Sequence, residues 1–415
     1  MRRSSKSSHN RLSADSQRLV TAAQGMVQSA SRLEERLWEH VLDTLLHKTL
    51  KGNHQDTVDS ALDHLFRSDL AAYDALMEAV EAGSESCSVE HDGVQYHALL
   101  IAVPILAWTR FSIGSGSISE DMCTTLGAHL HGHLLAPDAR LALLPNLYAI
   151  DQLPRSHAET FSLVQRLAQA AVKGTAPRAT GNAPETAPFL ADTRYLLAAV
   201  AAPAGKALFA WQADLNPAGR EHALERWRKQ AAPNIASLLP GCGVELLMPE
   251  AYYVACREAD RQIRPISIRA AVHYLTNALG VDPTGLRAIV GGFTEDPSGE
   301  RIDEYRIGFT LRQNPEVVYG VVWPLYGQED DDEVAENSFE GLTSPEVLDS
   351  DLRTPVEEIT ALLRACGVTH IKRHPEHFPM EFCDDCGAPL YPDADADLVH
   401  AEMPEDVASN GGHFH

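Results

Sequence analysis

Cys383 and Cys386 stand two residues apart in the segment FCDDCGAPLYP, residues 382–392. Two thiolates at that spacing can grip one metal ion, because the intervening turn aims both sulfurs inward. Gly387 follows the second cysteine and permits the positive φ that so tight a turn needs. Thiol redox exchange is the competing chemistry of a CxxC pair. A redox pair of that kind opens a helix, and Pro389 and Pro392 argue against a helix here. Asp384 and Asp385 are expected to raise the thiol pKa values and blunt reactivity. Metal binding is the preferred reading.

Two thiolates are half of a zinc site, and three sources of imidazole could complete it. His413 and His415 end the chain as HxH, and residues i and i+2 of an extended chain point the same way. His374 and His377 form HxxH upstream, with five residues between His377 and Cys383. His400 lies alone downstream. The tail pair is favoured, with His374, His377 or His400 as replacements. A Cys2His2 set closes the tetrahedron, so the expected role of the zinc is structural. The segment resembles half of a zinc ribbon, in which each knuckle is a CxxCG turn, but the second CxxC is missing.

A second histidine cluster lies in AHLHGHL, with His129, His131 and His133. On a helix, Met122, Leu126, Leu130 and Leu134 share one face. His129 and His133 project beside that stripe and His131 points away. An i, i+4 pair can bind metal, yet the glutamate of HExxH and a third ligand are both missing. Partly buried histidines on a packed helix are the preferred reading of the cluster. The loop Gly114-Ser115-Gly116-Ser117 precedes a helix, but it has no Walker lysine, and Glu120 and Asp121 put negative charge where a phosphate would sit. Ser117 is read instead as the cap, with Glu120 completing a capping box. Neither a GxSxG elbow nor a kinase motif set occurs.

The elements that must carry these residues read as an α/β chain. Residues 1–29, charged and Ser-rich with no apolar segment for a signal peptide, read as a disordered tail. Residues 30–87 hold three short helices, broken near Lys51-Gly52-Asn53 and Ser68-Asp69. A first α/β unit covers 88–172, opening with the buried strand VQYHALLIAVPILAW. An Ala/Pro/Gly/Thr linker covers 173–191. A second unit, 192–282, restarts the order with RYLLAAVAAPAGKALFAW, then a helix capped by Asn216 and begun by Pro217. Trp108 and Trp211 lie 103 residues apart and Pro145 and Pro249 104, with AVPILAW matching KALFAW and LALLP matching ELLMP. We read two pseudo-repeated strand–helix–strand–helix units. Residues 283–373 form an antiparallel meander (286–295, 302–312, 317–326), a helix over 355–366 and a short strand VTHIK. Thr354, Pro355 and Glu357 make the start of that helix. Residues 374–415 are the metal knuckle and tail.

With 415 residues, two or three globular units are expected. Cys87, Cys123, Cys242, Cys256 and Cys366 are scattered singly and read as small core hydrophobes. An odd cysteine count without a secretory signal fits the reducing cytoplasm. The net charge of −24, from 34 basic and 58 acidic residues, repels nucleic acid and anionic membranes, so neither is an expected partner. No apolar run approaches a membrane span.

The whole chain, above all HFPMEFCDDCGAPLYP followed by VHAEMPED, resembles an uncharacterised beta-proteobacterial family of unknown function. The resemblance implies a bacterial cytoplasmic setting and carries no activity, substrate or catalytic residue. Two functions stay in view. One is a non-catalytic binding or regulatory protein, presenting a surface to a protein or small ligand, with a structural zinc knuckle. The other is a metal-assisted hydrolase with its site between the duplicated units, His129 and His133 contributing.

Overall fold

A computed structural model describes residues 12–178, 189–295, 302–325 and 354–404. Four helices come first: α1 (Ala14–Val27), α2 (Arg32–Lys51), α3 (Gln55–Ser68) and α4 (Leu70–Glu85). Ser31 caps α2 by accepting from the Glu34 amide, and Asp69 caps α4 by accepting from that of Ala72. Leu19, Val20 and Ala23 of α1 are buried against Leu42 and Leu46 of α2 and Leu65, Leu76 and Val80 of the next two helices. Over Ala14–Val27 this corrects the reading of residues 1–29 as a disordered tail; residues 1–11 lie outside the described residues. The apolar set of α1 is small and alanine-rich, a weak periodic signal, yet it covers a face that the next three helices leave open.

An antiparallel sheet follows. Its strands are β1 (Ser86–His91), β2 (Val94–Trp108), β3 (Gly116–Ser117), β4 (Arg140–Leu143), β5 (Asn146–Ala149), β6 (Ala191–Pro203), β7 (Gly243–Leu246) and β8 (Glu250–Ala251). The helices around it are α5 (Glu120–His133), α6 (His157–Lys173), the short α7 (Ala210–Ala213), α8 (Gly219–Leu238) and α9 (Tyr252–Leu279). Side chains alternate across β2 as its pleat requires. Ile101, Val103 and Ile105 face Leu126 and Leu130 of α5 and Trp227 and Ile235 of α8. Leu100, Ala102 and Leu106 face Val164 and Leu167 of α6 and Ala255 and Ala259 of α9.

The two pseudo-repeated units interlock through their short strands. The long strands β2 and β6 pair antiparallel from Tyr96↔Pro203 to Trp108↔Ala191. The first unit's β4 then pairs with β6, and the second unit's β7 pairs with β2. LALLP and ELLMP therefore do occupy equivalent places. AVPILAW and KALFAW do not: β6 ends at Pro203, and Trp211 lies in α7. Two caps are also corrected. Ser119, not Ser117, caps α5 by accepting from the Met122 amide, and α8 starts at Gly219 without a side-chain cap from Asn216.

The second sheet has the order β11-β10-β9-β12. β9 (Leu286–Thr294), β10 (Glu304–Leu311) and β11 (Asn314–Pro324) form the antiparallel meander, and β12 (His370–Pro379) adds on parallel to β9. The helix before β12, α10 (Pro355–Ala365), has the complete Thr354/Glu357 capping box. Helix α9 joins the sheets. Its first half packs on the eight-stranded sheet, and Ile268, Ala271 and Leu275 of its second half pack with Trp323, Ile359 and Leu363. Pro265 lies between the halves and removes one backbone donor there.

Candidate metal centre

The chain leaves β12 at Met380, whose amide donates to the Thr294 carbonyl. It then doubles back on itself. Leu390 N donates to Glu381 O at 3.2 Å, and Cys383 N donates to Ala388 O at 2.8 Å. Gly387 N returns to Cys383 O at 2.8 Å, with Gly387 at φ 71°. That left-handed φ is the reason a glycine follows the second cysteine.

Buried Arg306 of β10 clamps both arms of this turn. Its Nη1 donates to the carbonyls of Glu381 at 2.6 Å and Leu390 at 2.8 Å, and its Nε to Glu304 at 2.6 Å. The guanidinium stacks over Phe293, 4.3 Å from the ring centre, and lies 5.0 Å from that of Phe382. The sheet below is hollowed to receive the next segment, β13 (Tyr391–Pro392). Gly308 and Gly320 are cross-strand partners on β10 and β11. A Cβ on Gly320 would stand 2.0 Å from the Tyr391 ring, and one on Gly308 2.8 Å from the Pro392 carbonyl.

A tight turn then brings the chain back. Asp393 Oδ1 accepts from the amides of Asp395 at 2.8 Å and Asp397 at 2.9 Å. β14 (Leu398–Val399) pairs with β13, and Glu402 N donates to Val317 O at 2.9 Å. His400 is held between those two anchors. Its Nε2 lies 3.2 Å from Cys386 Sγ, and its Nδ1 lies 3.4 Å from Glu402 Oε1. The ligand atoms of Cys383, Cys386 and His400 all fall within 4.8 Å of one another. With the ring proton on Nδ1, beside that carboxylate, the Nε2 lone pair faces the thiols.

The Cys383 thiol is held below its ordinary range. The Cys386 amide is the largest cause, followed by the Asp385 amide and the Cys386 thiol. The charge of Asp385 pulls the other way and loses. The expectation that Asp384 and Asp385 would raise the thiol pKa values is corrected for Cys383. The turn aims amide N–H groups at its sulfur, while the nearby carboxylate acts through solvent. Amides donated to sulfur stabilise the thiolate that a divalent metal requires.

The other histidines fall elsewhere. His374 is buried in β12, and its Nε2 donates to the Asp393 carbonyl at 2.8 Å, so it pins the turn. His377 is exposed on the same strand. His413 and His415, the favoured ligands from sequence, lie outside the described residues. On α5, His131 bonds the Ala139 carbonyl and His133 the Gln230 side chain, each at 3.0 Å. Among the described residues, His129 and His133 gather no third ligand.

A family model described as a protein of unknown function, DUF2863, matches residues 4–414. The chain belongs to that family. No curated protein and no solved structure matches it. The matched span includes both sheets and the Cys383–Cys386–His400 group, so the DUF2863 unit comprises the knuckle together with the fold that clamps it. Among the described residues, no helix is long and apolar enough to cross a membrane.

Proposed function

We propose that this DUF2863 chain is a non-catalytic binding or regulatory protein whose C-terminal segment is locked by a structural zinc ion on Cys383, Cys386 and His400. The convergence of two sulfurs and one imidazole nitrogen within 4.8 Å carries this reading. Soft sulfur with imidazole suits Zn²⁺, which carries no redox chemistry of its own. The metal's work is mechanical: it ties residue 400 to the turn at 383–386, which Arg306 already fastens to the sheet. Three donors leave one tetrahedral position, and His413 or His415 is the chain's own candidate for it.

Metal analysis of the protein purified under reducing conditions tests the reading. One zinc per chain is expected. Cys386→Ser and His400→Ala each release it and expose residues 380–404 to protease, whereas His129→Ala leaves it in place. A protein that takes up no zinc overturns the proposal. Substituting His413 and His415 together reads the fourth position: weaker binding supports the tail as ligand, and unchanged affinity rejects it.

A further inference from the structure

Metal binding and thiol exchange compete for a CxxC pair in sequence, but the geometry of the knuckle admits them in succession. The sulfurs of Cys383 and Cys386 lie within 4.8 Å of each other. Gly387 N donates to Cys383 O at 2.8 Å, so both side chains leave a single turn. A disulfide needs its sulfurs ~2.05 Å apart. That is a short approach once no ion stands between them.

Exposure divides the roles of the two sulfurs. Cys386 is exposed and Cys383 is half-buried. The outer sulfur meets solutes first, and the inner one stands beside it to resolve the product. A solvent-accessible cysteine next to a resolving one is the arrangement of redox-sensing thiols. The other five cysteines are half-buried against the cores: Cys123 and Cys242 on the α5/α8 side of the first sheet, Cys87 and Cys256 on its α6/α9 side, and Cys366 beside the second sheet. Burial pushes all five thiols up, that of Cys87 to about 12. They stay protonated, whereas the thiolate is the form that attacks.

The consequence depends on what the ion holds. Residues 398–404 reach the turn through His400. Otherwise this arm is fastened by the two-residue pairing of β14 with β13, by the Glu402 amide on the Val317 carbonyl, and by half-buried Met403 against the second core. Loss of both thiolates leaves one imidazole, too few donors to keep zinc.

We propose that Cys383 and Cys386 form a peroxide-operated switch on the knuckle: oxidation joins them as a disulfide, zinc leaves, and the arm at residues 398–404 is loosened from the turn. The inference rests on the zinc reading and adds regulation to it. With hydrogen peroxide, the Cys386 thiolate attacks one oxygen and breaks the O–O bond. One proton is taken up, giving a sulfenic acid and a first water. The Cys383 thiolate then attacks that sulfur. With a second proton, a second water leaves as the S–S bond forms. Each sulfur gives up one electron, the peroxide oxygens take both, and Zn²⁺ departs with its charge unchanged.

Hydrogen peroxide added to the zinc-loaded full chain tests it. Expected are loss of one zinc per chain, measured with a chromophoric chelator, a mass lower by two hydrogens, and a cross-linked peptide joining Cys383 to Cys386. Protease cleavage should appear within residues 393–404. A dithiol with added zinc should restore both metal and protection. Cys366→Ser leaves the knuckle intact and should release zinc at the parent's rate. Zinc retained through peroxide overturns the switch and leaves the zinc reading standing. Sulfinic acid on either sulfur, or a cross-link to any other cysteine, also overturns the switch. A reduced chain that takes up no zinc overturns the zinc reading, and the switch with it.

Discussion

Cys386 Sγ and His400 Nε2 stand 3.2 Å apart across a hairpin. Glu402 lies behind the imidazole, 3.4 Å from Nδ1. Losing a carboxylate that stands behind a metal-ligating imidazole typically weakens metal affinity 10–100-fold. Glu402→Gln should therefore weaken zinc binding by about that factor while one ion per chain still binds at saturation. Competition with a chromophoric chelator measures it, and an affinity equal to the parent's would detach Glu402 from the site.

Arg306 should be the most costly single residue of the knuckle to lose. Its guanidinium is fully buried and satisfies Glu304, the Glu381 carbonyl and the Leu390 carbonyl together. Removing one partner of a buried pair typically costs about 3–5 kcal/mol. Arg306→Leu should lower stability by that order and loosen zinc. Arg306→Lys should rescue little, because one ammonium lacks the planar fork that reaches three acceptors. Denaturant titration of the three proteins decides it.

Gly320→Ala should destabilise through Tyr391. The added methyl meets that ring at 2.0 Å, and overpacking of this kind costs about 1–3 kcal/mol. The loss should shrink in a Tyr391→Ala background, where the obstructing ring is gone. Additive losses in the double-mutant cycle would show that the glycine serves the strand and not the docked segment.

Glu85 should make stability fall with rising pH near neutrality. Burial is the main cause that lifts its carboxyl from 4.5 to about 7, against the amide of Tyr253 that donates to it at 3.0 Å. The folded state therefore keeps a proton that the unfolded chain releases above about pH 4.5. Stability from this group is lost as pH climbs from about 4.5 to 7, and the slope vanishes above that. At about 1.4 kcal/mol per pKa unit, the whole effect is about 3 kcal/mol. Glu85→Gln should flatten the slope and exceed the parent in stability at pH 8. Urea midpoints between pH 4.5 and 8 read the difference, and parallel curves for the two proteins would refute it.

Local chemistry made much of the framework legible in the chain. The breaks at Gly52 and Asp69 and the Thr354–Pro355–Glu357 helix start each depend on a few adjacent residues. The CxxCG turn was legible for the same reason: one φ of 71° and two hydrogen bonds within six residues build it. Helix α1 was not legible, because its alanine-rich face acquires meaning only when three other helices cover it. The matched tryptophans misled, since Trp211 is similar in letters to Trp108 but lies beyond the end of its strand.

The imidazole is where the two kinds of information part. Composition and spacing establish the α/β class, the acidic composition and a pair of thiols able to share an ion, all readable without knowing which distant segments meet. The position of His400 depends on partners far from it in sequence. Arg306 clamps the turn, Gly308 and Gly320 make room for β13, and Val317 anchors Glu402. A histidine fourteen positions downstream of Cys386 has no preferred direction until those contacts close the hairpin. Linear spacing left His400 as one alternative among several, because it cannot register which loop a distant sheet will fold back.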